Sequence, residues 1–316
     1  MDMNFNSIMK AAIILLEKIS PYYLSVATRT KSFSREALMK YGIFAELGKE
    51  YAIVMQGPII NKDNFTIETL KLYRYVYPNI TIVLSTWPIA NDHIVKQLND
   101  LDILVIENKP PAFSGAANIN FQITSTAGGL HALDKEQTRY VLKTRADQRC
   151  CKPVDFLGYM RMLQDWFPLK DSSILHERLI IVSLDSFLNR LYGITDMFMF
   201  GTLGDMLLYW DIPHHELMPD MVTDNPEMMI KNNTGEGYFV NHFFRKLNFS
   251  PLWTIADSNE FLAKYFCVVD KEQIDLYWFK YNRYFESIEN RVQKDFNNLV
   301  RRDFIHWARS YMPNDR

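Results

Sequence analysis

The sequence predicts an α/β fold, with a mostly parallel sheet flanked by helices between a helical N-terminal leader and a helical C-terminal region. Three observations predict it. From Tyr51 to Arg149, short β-branched runs alternate with segments whose apolar residues recur at helical spacing. The links between them are short, so strands follow one another through helical crossovers and lie parallel. Finally, 48% of the 316 residues are hydrophobic, ample for a large core in one large domain or two smaller ones.

The leader contains AAIILLEKI (Ala11–Ile19). It falls short of the roughly 20 apolar residues a bilayer span needs and lacks a small-residue cleavage site. It reads as an amphipathic first helix, packed on the domain or lying on a membrane surface with Lys10, Lys18, Arg29, Lys31 and Arg35. YAIVMQGPI (Tyr51–Ile59) is a buried strand closed by the Gly57-Pro58 turn. FTIETLKLYRYVYP is a helix that stops at Pro78. ITIVLSTW (Ile80–Trp87) is the second strand. NDHIVKQLNDL is a helix capped by Asn91, and DILVIEN (Asp102–Asn108) is the third strand. NINFQITSTAGGLHAL (Asn118–Leu133) is a helix weakened by Gly128-Gly129. RYVLKTR (Arg139–Arg145) is the fourth strand. ERLIIVSL (Glu177–Leu184) and GITDMFMFGT (Gly193–Thr202) read as two more strands, and GEGYFVNHFFRKL (Gly235–Leu247) as an aromatic-faced helix. From Lys271 onward the chain reads as helical and charged.

Several function classes lose weight. A net charge of −2 lacks the electrostatic footprint of a nucleic-acid binder. No GxGxxG follows the first strand and no GxxxxGK[ST] occurs. Three cysteines without CxxC spacing read as reduced thiols of a cytosolic protein, not a zinc site. The seven histidines are scattered and are assigned no catalytic role.

Parallel sheets bind ligands outside the carboxyl ends of their strands. LKTRADQR (Leu142–Arg149) carries Lys143, Arg145, Asp147 and Arg149 to that edge. Strand alternation puts Lys143, Arg145 and Asp147 on one side. Two cations suit a diphosphate, and the carboxylate suits a divalent metal or a sugar hydroxyl. A surface ion-pair cluster would look the same. In MQGPI, Gly57 permits close backbone approach, Pro58 stiffens the turn and Gln56 can meet a base edge. In NINFQI, Asn118, Asn120 and Gln122 open a helix and suit an anion or ribose, although helix capping explains Asn118 equally. Asp196 and Glu236 are the candidates for the carboxylate that takes a proton from an acceptor hydroxyl, with Glu227 a rival.

VMQGPI, TLKLYRYVYPNITIVLSTW, NINFQITSTAGGL, YVLKTRADQR and ITDMFMFG, in that order from Tyr51 to Gly201, resemble the WavE family. The likeness continues more loosely to Lys280-Tyr281. That family is associated with lipopolysaccharide-core and capsule synthesis and looks like a set of GT-A-type glycosyltransferases. The resemblance implies a GT-A-like, Rossmann-like domain over residues 49–270, after a leader (1–48) and before a packed helical extension (271–316). It implies that Gln56, Gly57, Pro58, Ser85, Thr86 and Trp87 line a nucleotide pocket, joined by Asn118, Asn120 and Gln122. It places Arg145 and Asp147 where such enzymes carry Asp-x-Asp and matches Asp196 to a carboxylate of a later strand; read together with the residues themselves, Lys143, Arg145 and Asp147 are expected to hold the donor diphosphate, Asp196 to bind sugar or acceptor, and Glu236 to be the base. Two positions depart from the family pattern. Arg145-Ala146-Asp147 replaces Asp-x-Asp, which weakens the expectation of Mn or Mg at Asp147 and lets arginine stand in for the metal's charge. Phe121 stands where the family favours arginine.

The expected activity is therefore transfer of a sugar from a nucleotide-sugar donor to a glycan or lipid-linked glycan acceptor, in bacterial lipopolysaccharide, capsule or O-antigen synthesis. The expected location is the cytoplasm, with peripheral contact at the inner membrane, where the C-terminal Arg283, Arg291, Lys294, Arg301 and Arg302 meet anionic lipid or solvent. A sugar-phosphate transferase and a non-catalytic glycan-binding assembly subunit remain open beside it.

Overall fold

In the computed structural model, β1 (Tyr51–Gln56) is buried along its whole length, as a strand covered on both sides must be. The structure describes residues 5–19, 28–34, 36, 38, 45–152, 154–170, 174–216, 235–280 and 300–312. Met1–Lys31 form one unit, containing helix α1 (Phe5–Ile19), and Ser32–Arg316 form another. No helix among the described residues is long and apolar enough to cross a membrane.

After β1 come α2 (Phe65–Val76), β2 (Thr81–Thr86), α3 (Asp92–Asp100), β3 (Leu104–Glu107), α4 (Ile119–His131) and β4 (Tyr140–Arg145). Each predicted strand and helix of this half is present. β5 (Gln148–Cys150), α5 (Phe156–Trp166), β6 (Leu179–Val182), β7 (Met199–Thr202) and α6 (Leu203–Trp210) follow. The described remainder holds α7 (Gly235–Leu247), α8 (Ile255–Tyr265), β8 (Phe266–Val269), β9 (Leu276–Trp278) and α9 (Phe304–Tyr311).

Seven strands make one sheet in the order β3-β2-β1-β4-β7-β6-β8. All its recorded pairings are parallel except those of β7, which runs against both β4 and β6. Helices flank it and share a single apolar core with it. β5 and β9 pair antiparallel in a second, two-stranded sheet. The chain beyond Lys271 is thus not uniformly helical: Leu276–Trp278 is a strand, and α9 packs on α8 and β8. Arg302, expected to face lipid or solvent, is buried. Its N–H donates to the Ser186 carbonyl at 2.7 Å and its Nη1 to Asn259 Oδ1 at 2.8 Å. Arg301 pairs with Glu272 at 2.8 Å. Arg35, Glu227, Arg283, Arg291 and Lys294 lie outside the described residues. The three cysteines are free thiols, and burial pushes Cys150 and Cys267 up in pKa.

Gly128-Gly129 does not interrupt α4. A Cβ at Gly129 would run into Val54 Cγ1 of β1 and sit 3.0 Å from Ser85 Cβ of β2. The missing side chain is what lets α4 lie this close to the sheet. Gly129→Val should therefore destabilise the protein by about 1–3 kcal/mol, the usual cost of overpacking a tight core. Gly204→Ala, whose Cβ would meet nothing nearer than 3.9 Å, should be neutral or slightly stabilising. Urea denaturation midpoints of the two variants against wild type measure both.

Candidate active site

The cavity opens where β1 and β4 end side by side. Their parallel register sets Gln56 beside Arg145, and Ala146 N–H donates to the Gln56 carbonyl at 2.9 Å. Gly57, at φ 108°, then turns the chain away from the sheet in a backbone state that side-chain-bearing residues rarely adopt. The space is about 490 Å³, within the usual range of small-molecule sites. Gln56 Oε1 accepts from Ser125 Oγ of α4 at 2.7 Å, which leaves its amide NH2 as the donor for a ligand.

One wall is cationic and aromatic. Arg145 grips Asp147 with two nitrogens, Nε to Oδ1 at 2.9 Å and Nη2 to Oδ2 at 3.1 Å. The Trp278 indole donates to the same Oδ2 at 2.9 Å, and the Arg145 guanidinium lies 5.6 Å from the Trp278 ring centre. Burial alone would raise the pKa of Asp147. The hydrogen bond and charge of Arg145, with the indole, reverse this and hold its carboxyl below the ordinary 3.8. Trp87 and Phe121 meet edge to face at 5.3 Å on another wall. Beside them the chain enters α4 through Ala117 and Asn118, both left-handed at φ 48° and 64°. Asp63 and Asn64 make the same pair of left-handed residues before α2. Asn118 occupies the cap position, but its side chain makes no cap hydrogen bond.

The opposite end is acidic. Asp196 and Glu236 both line the cavity. Asp196 is largely buried and accepts from Gln122 Nε2 at 2.5 Å, while Gln122 Oε1 has no partner. Glu236 opens α7 and pairs with Arg190 Nη2 at 2.8 Å. Asp185 stands behind it, 3.9 Å from Arg190 Nη1, so one guanidinium serves both carboxylates.

Ten of the sequence's candidates meet at this cavity: Gln56, Gly57, Pro58, Trp87, Asn118, Gln122, Arg145, Asp147, Asp196 and Glu236. Four do not. Ser85 is fully buried and accepts from Asn108 Nδ2 at 2.9 Å. Thr86 lines a neighbouring cleft of about 710 Å³ that shares Pro58 and Trp87 with the first. Asn120 is buried and bonds both backbone groups of His215. Lys143 shares a strand face with Arg145, but β4 is central and that face is already covered two residues before the strand ends. Its amine donates to the Asp196 carbonyl and sits 4.1 Å from the Trp210 ring centre. Burial pulls its pKa down to about 7. Arg149, read as a fourth edge residue, is buried as well. It bonds Thr69 Oγ1 at 2.8 Å and the Phe65 carbonyl at 2.9 Å, which ties β5 to α2.

The chain matches the family described as WavE lipopolysaccharide synthesis over residues 51–245, more than half its length. It belongs to that family. No curated protein matches it. Among solved structures, the 4-diphosphocytidyl-2C-methyl-D-erythritol synthase of Anaerococcus prevotii DSM 20548 is similar over 58% of this chain and 84% of its own. The identity is 14% and the TM-score 0.33.

Among the described residues, those around Asp147 do not fit a metal ion. Both oxygens of Asp147 are engaged by Arg145 and Trp278, and no group of three His, Cys, Asp or Glu among the described residues is placed to hold an ion. The sequence reading missed Asp185 and Arg190, which lie in the turns after β6, and Trp278, which lies in a stretch that read as helix. No spacing rule marks any of the three, because tertiary pairing alone brings them here. Arg145→Ala should cost about 1.5–3 kcal/mol near neutral pH, the scale of hydrogen bonds to a charged group. The Asp147 contribution is present above the ordinary value of 3.8 and is lost as pH falls through its lower folded value. The stability gap between wild type and Arg145→Ala should therefore close in acid, as measured by denaturant midpoints from pH 7 down to pH 2.

Proposed function

We propose that this WavE protein is a glycosyltransferase that moves a sugar from a nucleotide-sugar donor to a glycan acceptor, in lipopolysaccharide or related surface-polysaccharide synthesis at the cytoplasmic face of the inner membrane. The observation that carries the reading is the make-up of one cavity: Arg145 beside the Trp278 ring and paired with Asp147 on one wall, and Asp196 and Glu236 on the same lining. A donor diphosphate is a dianion, and a guanidinium held by a carboxylate on one edge donates to it from its other N–H bonds. Trp87, Phe121 and Trp278 offer faces and edges for the flat base or the apolar side of a sugar. The adjoining cleft beyond Pro58 and Trp87 gives the donor room to extend.

In the transfer, Glu236 takes the proton of the acceptor hydroxyl as that oxygen bonds to the anomeric carbon. The bond from that carbon to the diphosphate breaks, and the departing oxygen keeps the electron pair. Arg145 stabilises the charge that develops there, and it requires no reorganisation because Asp147 and Trp278 already hold it in place. Asp196, steadied by Gln122, accepts hydrogen bonds from sugar hydroxyls.

A thermal-shift panel of nucleotide-sugars, with and without Mn²⁺ or Mg²⁺, tests the reading. A cognate donor at about 100 times its Kd should stabilise the wild type by about 2.7 kcal/mol without metal, and Arg145→Ala should lose that shift. Glu236→Gln should keep the donor-induced shift and lose about 10²–10⁴-fold in transfer rate, the scale of a general base. Silence across the panel in both binding and turnover would sink the transferase reading.

A further inference from the structure

The transfer scheme leaves one ionisable group without a task. Asp185 does not line the cavity, yet it shares the Arg190 guanidinium with Glu236, which does. It stands in a turn fixed from several sides. Ser183 N–H donates to the Val269 carbonyl at 2.8 Å, Ser186 N–H to the Ser183 carbonyl at 3.2 Å, and Arg302 N–H to the Ser186 carbonyl at 2.7 Å. Asp185 itself is left-handed, at φ 59°. A non-glycine residue in that state persists where the surroundings over-determine it, and such residues cluster at working sites.

Charge counting sharpens the point. Two carboxylates, Asp185 and Glu236, share one guanidinium, Arg190, while the neighbouring Asp196 has the buried amine of Lys143 on its carbonyl. The phenol of Tyr209 on α6 faces Asp196 and Glu236 and brings no positive charge. Arg190 Nη1 lies 3.9 Å from Asp185 and Nη2 2.8 Å from Glu236, and one positive charge cannot neutralise two carboxylates held on the same guanidinium. Two carboxyl groups crowded on one buried cation favour a proton on the pair, because both ionised would repel each other strongly. We propose that Asp185 is a positioning residue that shares one proton with Glu236, with Arg190 anchoring the pair so that the outer carboxylate is held toward the acceptor. This rests on the assignment of Glu236 as the base. The resting pair holds one proton. It holds two once the acceptor hydroxyl has given up its own, and it returns one to water through Glu236 after the product leaves. The electrostatics agree: burial first, then the charge of Glu236, pushes Asp185 up to about 8.

The first test does not depend on turnover. The full-length protein, labelled with carbon-13 at its aspartate carboxyls, is titrated by NMR. One aspartate should titrate near pH 8. Its signal should vanish in Asp185→Asn and move to lower pH in Glu236→Gln, where the neighbouring negative charge is gone. If no aspartate of the wild type titrates above pH 6, the proposal is overturned, whatever the variants do. Stability should follow the same sign. A raised folded value gives a contribution that is full below the ordinary 3.8 and is lost as pH rises through about 8. The wild type should therefore lose melting temperature across that window relative to Asp185→Asn.

The second test reads the positioning role. Asp185→Ala should lower kcat about tenfold or more while KM for the donor changes little, since misplacing a catalytic group is costly. Asp185→Asn, whose amide donates to Glu236 as the protonated acid does, should recover most of that loss and abolish the alkaline fall in the pH–rate profile. An equal loss in both variants with an unchanged profile would overturn the shared proton. Full transfer by Glu236→Gln would instead remove Glu236 as the base, and the positioning role with it, while the titration near pH 8 would still be seen.

Discussion

The site depends on the reversal of one strand. β7 is inserted between β4 and β6 and runs against both. Met199 lies opposite Lys143, so the residues before β7 extend past the carboxyl end of β4 instead of its start. Asp196 arrives by that route and comes to line the same cavity as Arg145. A fully parallel sheet would have brought that segment in at the far edge. Lys143 reinforces the arrangement from below, with its buried amine on the Asp196 carbonyl. Removing an ammonium from water is expensive, and here the cost is spent on fixing one backbone carbonyl.

The second sheet acts as a clasp on the other wall. β9 pairs with β5, the next strand after Arg145 and Asp147. Trp278 bonds the Asp147 carboxylate, and Phe279 N–H donates to the Asp147 carbonyl at 2.9 Å. Arg149, on β5, is anchored to α2. The LKTRADQR segment thus divides its charges: Arg145 and Asp147 face the ligand space, while Lys143 and Arg149 hold the walls in place. A charged cluster at a strand end can be both a binding device and a brace, residue by residue.

That division marks the limit of what the sequence disclosed. Strands one to four were legible because local patterns carry them: β-branched runs, short links and the turn at Gly57-Pro58. The carboxyl edge was legible for the same reason, and ten of the candidate side chains line one cavity there. Depth was not legible. Lys143 and Arg145 share one face by alternation, and only the packing of Trp210 shows that the first is sealed in. Strand direction was also hidden, since ITDMFMFGT has the same composition whichever way it runs. LYWFK read as helix because three residues are too few to display a period. Asp185 and Arg190 are polar residues in turns, where such residues are ordinary, and their meeting with Glu236 exists only in three dimensions.

The paired left-handed residues at Asp63-Asn64 and Ala117-Asn118 carry a consequence for how this protein evolves. The left-handed state costs the native chain most at Ala117 and less at the Asp and Asn positions, and that cost is met when the chain folds, not when a ligand arrives. A mutation to glycine at these positions relaxes the loop and is the easy path to a more robust protein. Drift toward stability and selection for a rigid pocket entrance therefore pull in opposite directions at the same few codons.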